Sequence, residues 1–466
     1  MRVVVIGAGP TAMGAVHRLF EASKDDPSIE VTIIEREPYP GGLASTVTDT
    51  NGFSWDLGIH VTGATRFPEF VQLLQEAVPE WHCLERIVKA DMSHVLKIDK
   101  QPEANYVPYP VQSSVPYFPE PLRSNCLREL EGRVDTDLTP DDFESFEEFT
   151  KHFFGKSLQE VFIRPYNRKV WTVSLSEMNT EWVNGRVPQV DIDALRNRCL
   201  LSTEELRKYD SVRGINFFRY PADCIGMGEL WRRIATRYPA NWFQLNTEVT
   251  DIDAEQKIIS YKSVSTGKSE KMEYDYVIST MPLTILGKIT GLCNDLKLRH
   301  SKVALVGIGL KFPQSDFAQQ LSWAYFPRPD IVFYRCTVIS NFSPLLVPDA
   351  KKYWSVLCEI GLDVDDVVNT GDLAERTTEG LLETGIIPSA EQITNVWTRI
   401  LDYGYPIPTT NRKTELARAT EALEKHDIYS RGRFGAWKYE TSNQDCSFDI
   451  GNQVAVEILR NRLDTK

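Results

Sequence analysis

Val3-Val4-Val5-Ile6-Gly7-Ala8-Gly9-Pro10-Thr11-Ala12 decides how the chain begins to fold. A short β-favouring apolar run ends in a glycine turn of the form G-x-G-x-x-A. Met13, Val16, Leu19 and Phe20 then recur at helical spacing to about Ala22. Glu30-Val31-Thr32-Ile33-Ile34 reads as a second strand that ends in Glu35. The spacing has a chemical reason. Gly7 makes the tight turn, Gly9 lets the backbone approach a pyrophosphate, and Ala12 lets helix and strand pack closely. Pro10 and Thr11 open a helix whose first N–H groups and positive dipole end attract phosphate. Glu35, 23 residues beyond Ala12, accepts hydrogen bonds from a ribose. The stretch predicts a dinucleotide-binding βαβ unit.

Gly41-Gly42-Leu43-Ala44-Ser45-Thr46 follows the second strand. It resembles the G-G-x-x-x-T element of FAD-binding oxidases, which implies contact of Gly42, Leu43 and Ser45 with the cofactor's pyrophosphate and ribitol. Tyr276-Val277-Ile278-Ser279-Thr280-Met281-Pro282 resembles the later strand of that fold, which passes the cofactor again. Trp242–Val249 and Lys257–Tyr261 read as hairpin strands, with Val249 expected by the adenine. These segments predict a discontinuous domain holding tightly bound FAD rather than exchangeable NAD.

The chain has 466 residues, 42% hydrophobic and 25% charged, which excludes a disordered chain, a collagen-like fibre and a coiled-coil rod. Its net charge of −13 ill suits nucleic acid or an anionic membrane as partner, so a phosphorylated ligand must be held by local arginines. No apolar stretch approaches the roughly 18–20 residues that cross a bilayer. Met1 runs directly into a core strand, so no removable leader and a cytoplasmic location are expected. The eight cysteines are scattered without a C-x-x-C pair and the seven histidines are dispersed. Reduced thiols are expected, with neither disulfides nor a metal site.

Thr139-Pro140-Asp141-Asp142 has the form of a helix start, and Phe143, Phe146, Phe149 and Phe153 follow at helical spacing. Residues 115–210 read mostly helical. Val303–Leu310, Ile331–Ile339 and Tyr353–Cys358 read as strands. The expected class is α/β. A discontinuous Rossmann-like FAD-binding domain (1–88, 206–298 and 409–466) carries an inserted helical domain (113–205) and an antiparallel sheet domain (89–112 and 299–408).

Several polar strings interrupt apolar text: Val107-Pro108-Tyr109-Pro110-Val111-Gln112, Phe162-Ile163-Arg164-Pro165-Tyr166-Asn167-Arg168-Lys169-Val170-Trp171, Trp182-Val183-Asn184-Gly185-Arg186, Tyr325-Phe326-Pro327, Phe333-Tyr334-Arg335, Gly404-Tyr405-Pro406-Ile407-Pro408-Thr409, and the run from Arg431 through Trp437-Lys438-Tyr439-Glu440 to Asn443-Gln444-Asp445. Aromatic faces stack on a base or sugar, and arginine forks grip phosphate oxygens. This is the residue set of a nucleotide-sugar site.

Taken together and in this order, the strings resemble UDP-galactopyranose mutases of the eukaryotic type over nearly the whole chain. The resemblance implies interconversion of pyranose and furanose forms of a UDP-sugar, through attack of reduced flavin N5 on the anomeric carbon, with NADPH as reductant. It implies that Tyr109, Gln112, Phe162 and Asn167 surround the uridine, with Trp171 on the same side. Arg186 and Arg335 would clamp the diphosphate, assisted by Tyr325, Tyr405, Tyr439 and Asn443. His60 would lie beside the flavin, and Gly58, Asn443, Gln444 and Ser447 would also meet the cofactor. The sequence departs from the family pattern near the flavin. Asp56-Leu57-Gly58-Ile59-His60 has isoleucine where a second glycine is expected, Pro221–Gly228 is poorer in glycine, and Cys446 replaces a histidine. A flavin oxidoreductase acting on a nucleotide-linked or small biosynthetic substrate, and a non-catalytic FAD and nucleotide binder, stay open beside the mutase. The oligomeric state is also open.

Overall fold

In the computed structural model the Arg2–Ile6 strand lies at the centre of a five-stranded parallel sheet. Glu30–Ile34 and Tyr276–Ser279 flank it, with Phe243–Gln244 and Ile428–Ser430 at the edges. The structure describes every residue except 99–100, 134–136, 213–215 and 465–466. A parallel strand covered on both faces needs an unbroken apolar run, and Val3 to Ile6 are all buried. The helix Pro10–Asp25 follows the glycine turn. It packs along the C-terminal helix Gln444–Asp464 at a seam of two glycines. A Cβ on Gly14 would lie 1.9 Å from the Phe448 carbonyl oxygen, and one on Gly451 would lie 1.8 Å from that of Thr11.

The second layer is a seven-stranded sheet in the order Ile393–Pro406, His300–Lys311, Tyr353–Leu362, Arg335–Thr337, Trp323–Tyr325, Val88–Asp91 and Tyr106–Pro108. It is antiparallel except where Trp323–Tyr325 runs parallel to Val88–Asp91. Gly307 and Gly309 leave room for aromatic rings of the hairpin formed by Thr46–Thr48 and Ser54–Asp56. Added Cβ atoms would lie 2.7 Å from Trp55 and 2.5 Å from Phe53. Trp55 in turn stacks on Trp397 with ring centroids 5.8 Å apart. This contact sets the sheet directly over the hairpin that leads to His60.

A helical segment contains Leu122–Glu131, Phe146–Leu158, Arg164–Trp171, Ile192–Arg198 and Thr203–Ser211, and Arg164–Trp171 packs on the Tyr353–Leu362 strand of the second sheet. Three local readings of the sequence need correction. Thr139 forms its capping box on a short 3-10 turn, Pro140–Asp142, and the long helix starts at Phe146, where the Ser145 side chain accepts from Glu148 N–H. Phe143 therefore precedes the helix instead of opening its apolar stripe. The strand expected over Trp242–Val249 is two strands. Asn246 takes φ 52, so Phe243–Gln244 joins the parallel sheet while Thr247–Asp253 opens a separate three-stranded meander with Ile258–Ser263 and Ser269–Glu273. Of Ile331–Ile339 only Arg335–Thr337 is a strand, because the Ile331 and Phe333 carbonyls accept from the Lys169 ammonium instead of a neighbouring strand.

Among the described residues no helix is long and apolar enough to cross a membrane, and no group of His, Cys, Asp or Glu could hold a metal ion. All eight cysteines are free thiols.

Gly451→Ala is expected to cost about 1–3 kcal/mol, the scale of an overpacked core contact. Denaturant unfolding followed by tryptophan fluorescence measures this, and an unchanged midpoint would show that the two helices can separate freely.

Candidate functional site

A cavity of about 390 Å³ opens at the carboxyl ends of the parallel strands. Gly7, Gly9, Pro10, Thr11, Glu35, Gly42, Leu43, Val249, Gln444, Ser447 and His60 line it, drawn from both ends and the middle of the chain. The helix starting at Pro10 has no side-chain cap, which leaves its first N–H groups facing the cavity. A Cβ on Gly42 would come 3.1 Å from Gly9 Cα, so the two glycine turns form a cleft with bare backbone on both walls. Glu35 accepts from Ala8 N–H at 2.7 Å and Glu37 N–H at 2.8 Å, and its remaining lone pairs face the cavity. Burial raises its pKa above the ordinary carboxylate value, against those two bonds.

These features fit a flavin adenine dinucleotide. Bare backbone and a free helix start suit its pyrophosphate, and the acid at the strand end suits a ribose. Ala12 does not line the cavity; it is fully buried in the helix–sheet contact. Ser45 is likewise buried, with an Oγ that has no partner, and Gly58 faces a neighbouring cavity instead.

Asp56, which the sequence reading did not single out, organises the wall behind Ser45. Thr46 Oγ1 and Tyr220 OH donate to its carboxylate at 2.5 and 2.6 Å, and Met227 N–H approaches at 3.4 Å. A Cβ on Gly226 would lie 2.3 Å from Thr46 Oγ1, and one on Gly228 2.2 Å from Thr46 N. The Pro221–Gly228 loop thus packs behind the hairpin and does not line the cofactor cavity. Burial raises the Asp56 pKa from 3.8 to about 6, against its three hydrogen bonds.

The chain passes from Asp56 through Gly58, at φ 112, to Ile59 and His60. Gln444 holds this segment, donating to the His60 carbonyl at 3.1 Å while accepting from Trp231 Nε1 at 2.6 Å. His60 Nε2 lies 3.2 Å from the Leu57 carbonyl, and burial lowers the ring pKa to about 4, so the imidazole is neutral at ordinary pH. It can orient a ligand by hydrogen bonding, but it is not a proton donor near pH 7.

Ile59, Gly58 and His60 border a second cavity of about 60 Å³, shared with Val303, Leu305, Tyr334, Arg335, Glu359, Tyr405 and Arg433. Arg335 donates from Nε and Nη2 to the two oxygens of Glu359 at 2.8 and 2.6 Å. Burial opposes the Arg335 charge, but Glu359 more than offsets it and holds the pKa well above the ordinary guanidinium value. Tyr334 OH also donates to Glu359 at 2.7 Å and lies 3.3 Å from Tyr405 OH. Arg433 stacks on the Tyr405 ring at 4.6 Å. Arg186 lies over Tyr439 at 5.3 Å and donates to Asn443 Oδ1 at 3.2 Å and to the Glu440 carbonyl at 2.7 Å. Asn443 is therefore an arginine partner and does not line the flavin cavity. Two guanidiniums, of Arg335 and Arg433, border this second cavity with one carboxylate, so it is locally cationic inside an acidic protein.

An aromatic slot continues away from the cavity. Trp171 meets Tyr405 and Tyr439 edge-on, at 5.6 and 4.9 Å. Tyr325 packs against Tyr109 at 4.6 Å and Tyr166 at 5.3 Å, and Phe162 stacks on Tyr166 at 5.2 Å. Asn167 donates to the Ile163 carbonyl at 2.8 Å and accepts from Trp171 Nε1 at 3.2 Å, and Gln112 donates to the Pro188 carbonyl at 2.9 Å. The residues expected at the nucleotide thus gather in one cluster. Glu359, Tyr334, Tyr166 and Arg433 were missed. Glu359 had a signal, as the one acid inside the apolar run Tyr353–Leu362.

The fold and cofactor cleft define a flavoprotein of the amine-oxidase type. The model of the flavin-containing amine oxidoreductase family matches residues 22–304, and the chain belongs to that family. Within that class it is similar to a reduced UDP-galactopyranose mutase, at 32% identity and a TM-score of 0.85, covering 98% of this chain and 93% of that one. An oxidoreductase from Methanosarcina mazei matches with 15% identity and a TM-score of 0.61, over 98% of this chain and 100% of that one. A CLA-producing fatty acid isomerase from P. acnes matches with 12% identity and a TM-score of 0.60, over 98% of each chain. These last two share the fold alone.

Asp56 supplies a pH test. Its folded pKa of about 6 exceeds the unfolded 3.8, so the stability it contributes is full below 3.8 and is lost as pH rises through 6. Relative to Asp56→Asn, the wild-type protein should lose about 2–2.5 kcal/mol of unfolding free energy between pH 4 and pH 7. Parallel denaturant titrations at the two pH values check this, and equal losses in both proteins would reassign the effect to other groups.

Proposed function

We propose that the protein is a flavin-dependent mutase that interconverts pyranose and furanose forms of a UDP-sugar. One observation carries the reading. Arg335 and Arg433, with Tyr405, border the small cavity beside the flavin cavity, and Tyr405 and Tyr439 meet Trp171 of the aromatic slot, with Arg186 over the Tyr439 ring. A nucleoside diphosphate-sugar has that order of parts: base, paired phosphates, then a sugar directed at the flavin. The near full-length similarity to a UDP-galactopyranose mutase supports the same choice.

When bound and reduced, with NADPH as the proposed reductant, flavin would supply the nucleophile for the anomeric carbon. The chain's own residues do the rest. Phe162, Tyr166 and Tyr109 offer ring faces to the base, and Asn167 and Gln112 offer amides to its polar edge. Glu359 aims the Arg335 fork and leaves its Nη1 for a phosphate oxygen. Arg186 reaches the diphosphate from the other side. Negative charge grows on the diphosphate as the sugar–oxygen bond breaks, and fixed guanidiniums in a dry site stabilise that charge most. Neutral His60 and Ile59 exclude water on the flavin side.

A flavin oxidoreductase is the second reading. Ile59 favours it, because a β-branched residue beside Gly58 narrows the sugar cavity.

Dithionite-reduced protein incubated with UDP-galactose should yield a product of equal mass with a changed ring signature by NMR. Steady oxygen or NADPH consumption in proportion to product would instead identify an oxidoreductase. Arg335→Ala should weaken UDP binding by about 1.5–3 kcal/mol in calorimetry, the scale of a charge-assisted contact. Unchanged affinity would remove Arg335 from the diphosphate site.

A further inference from the structure

We propose that Lys169 is a positioning residue whose ammonium acts as a built-in cation, clamping the loop that joins Tyr325 to Arg335 and so setting the geometry of the diphosphate pocket. Lys169 lies on the Arg164–Trp171 helix, two residues from both Asn167 and Trp171. Its Nζ lies within hydrogen-bond reach of four backbone carbonyls, those of Phe326 at 2.7 Å, Arg328 at 3.0 Å, Ile331 at 2.6 Å and Phe333 at 2.5 Å, which share its three N–H donors. All four belong to one loop. That loop begins immediately after Tyr325 and ends just before Tyr334 and Arg335, and Tyr325 pairs with Arg335 across the two short strands.

Four converging carbonyl oxygens would repel one another without a cation between them. A neutral amine has two N–H donors and an ammonium three, so the oxygen cage favours the charged form. Burial works the other way and lowers the Lys169 pKa to about 7, with Asp330 and Asp91 raising it and Arg328 lowering it. The helix is seated independently of the ammonium. A Cβ on Gly361 would lie 2.0 Å from the Lys169 carbonyl oxygen, so Gly361 lets the helix backbone touch the strand that carries Glu359. The loop has a second anchor in Arg328, which bonds to Ser93 Oγ at 3.0 Å and pairs with Asp330 and Glu383. Loss of the ammonium should therefore loosen the Tyr325–Arg335 turn without releasing the loop. The helix carries Asn167 and Trp171 of the slot and the sheet carries Arg335 of the clamp, and Lys169 ties the two together.

The proposal rests on the UDP-sugar reading only for its binding readout. Two variants of the full flavin-loaded chain separate the roles. Lys169→Met keeps the stem and removes the charge, and Lys169→Ala leaves a slot of the right length for propylammonium. Both should weaken UDP at least tenfold by calorimetry and speed hydrogen exchange of the amides in residues 326–335, while flavin content holds. Propylammonium, and not propanol, should restore both properties to Lys169→Ala. If that variant does not fold alone, it is refolded in propylammonium and then dialysed, and the same two readouts are followed. Unchanged affinity and exchange in Lys169→Met would overturn the proposal, as would losses that propylammonium fails to repair. If the wild-type protein itself does not bind UDP, the ligand reading fails and exchange with its rescue alone decides the clamp.

Discussion

The contact between the first helix and the last holds the two ends of the chain together, and the flavin cleft depends on it. Gly14 and Gly451 let two helix backbones meet where any side chain would collide with a carbonyl. That closeness delivers Gln444 and Ser447 to a cavity whose other wall is the Gly7–Gly9 turn. Gln444 then fixes the His60 segment from behind through its two-sided amide. Moving the last helix outward by the size of a methyl group would alter both the cofactor wall and the segment facing the second ligand.

Charge is distributed with a purpose that the net value conceals. The chain is acidic overall, yet its second cavity is bordered by Arg335 and Arg433 with one carboxylate, Glu359. A buried pair such as Arg335–Glu359 adds little to stability, because desolvation of both partners offsets their attraction. Its value is geometric. Two bonds from Arg335 to Glu359 fix the plane of the guanidinium and leave its third nitrogen free to point elsewhere. Tyr334, bonded to the same glutamate, ties that plane to Tyr405 and hence to the aromatic slot.

The sequence carried the local elements of the cofactor domain well, because they are encoded by contiguous periodicity. Val3–Ile6, the glycine turn and the Glu30–Ile34 strand are each readable without distant context. The site strings were also legible, since Tyr, Trp, Arg and Asn clustered inside apolar text have few structural reasons to be there. What periodicity could not reveal was decided by partners far along the chain. Ile331–Phe333 has the composition of a strand, but a lysine on a remote helix takes its carbonyls. Trp242–Val249 looks continuous, but one left-handed residue at Asn246 divides it between two sheets. Glu359 and Asp56 acquire their roles only when folding brings Arg335 or Tyr220 beside them.

The closure of the cleft by the C-terminal helix also has a consequence in time. That helix is synthesised after the glycine turn, both sheets and the aromatic slot. Until it emerges, the cavity lacks the wall that Gln444 and Ser447 supply. Colour from bound flavin would therefore report that synthesis has passed this helix.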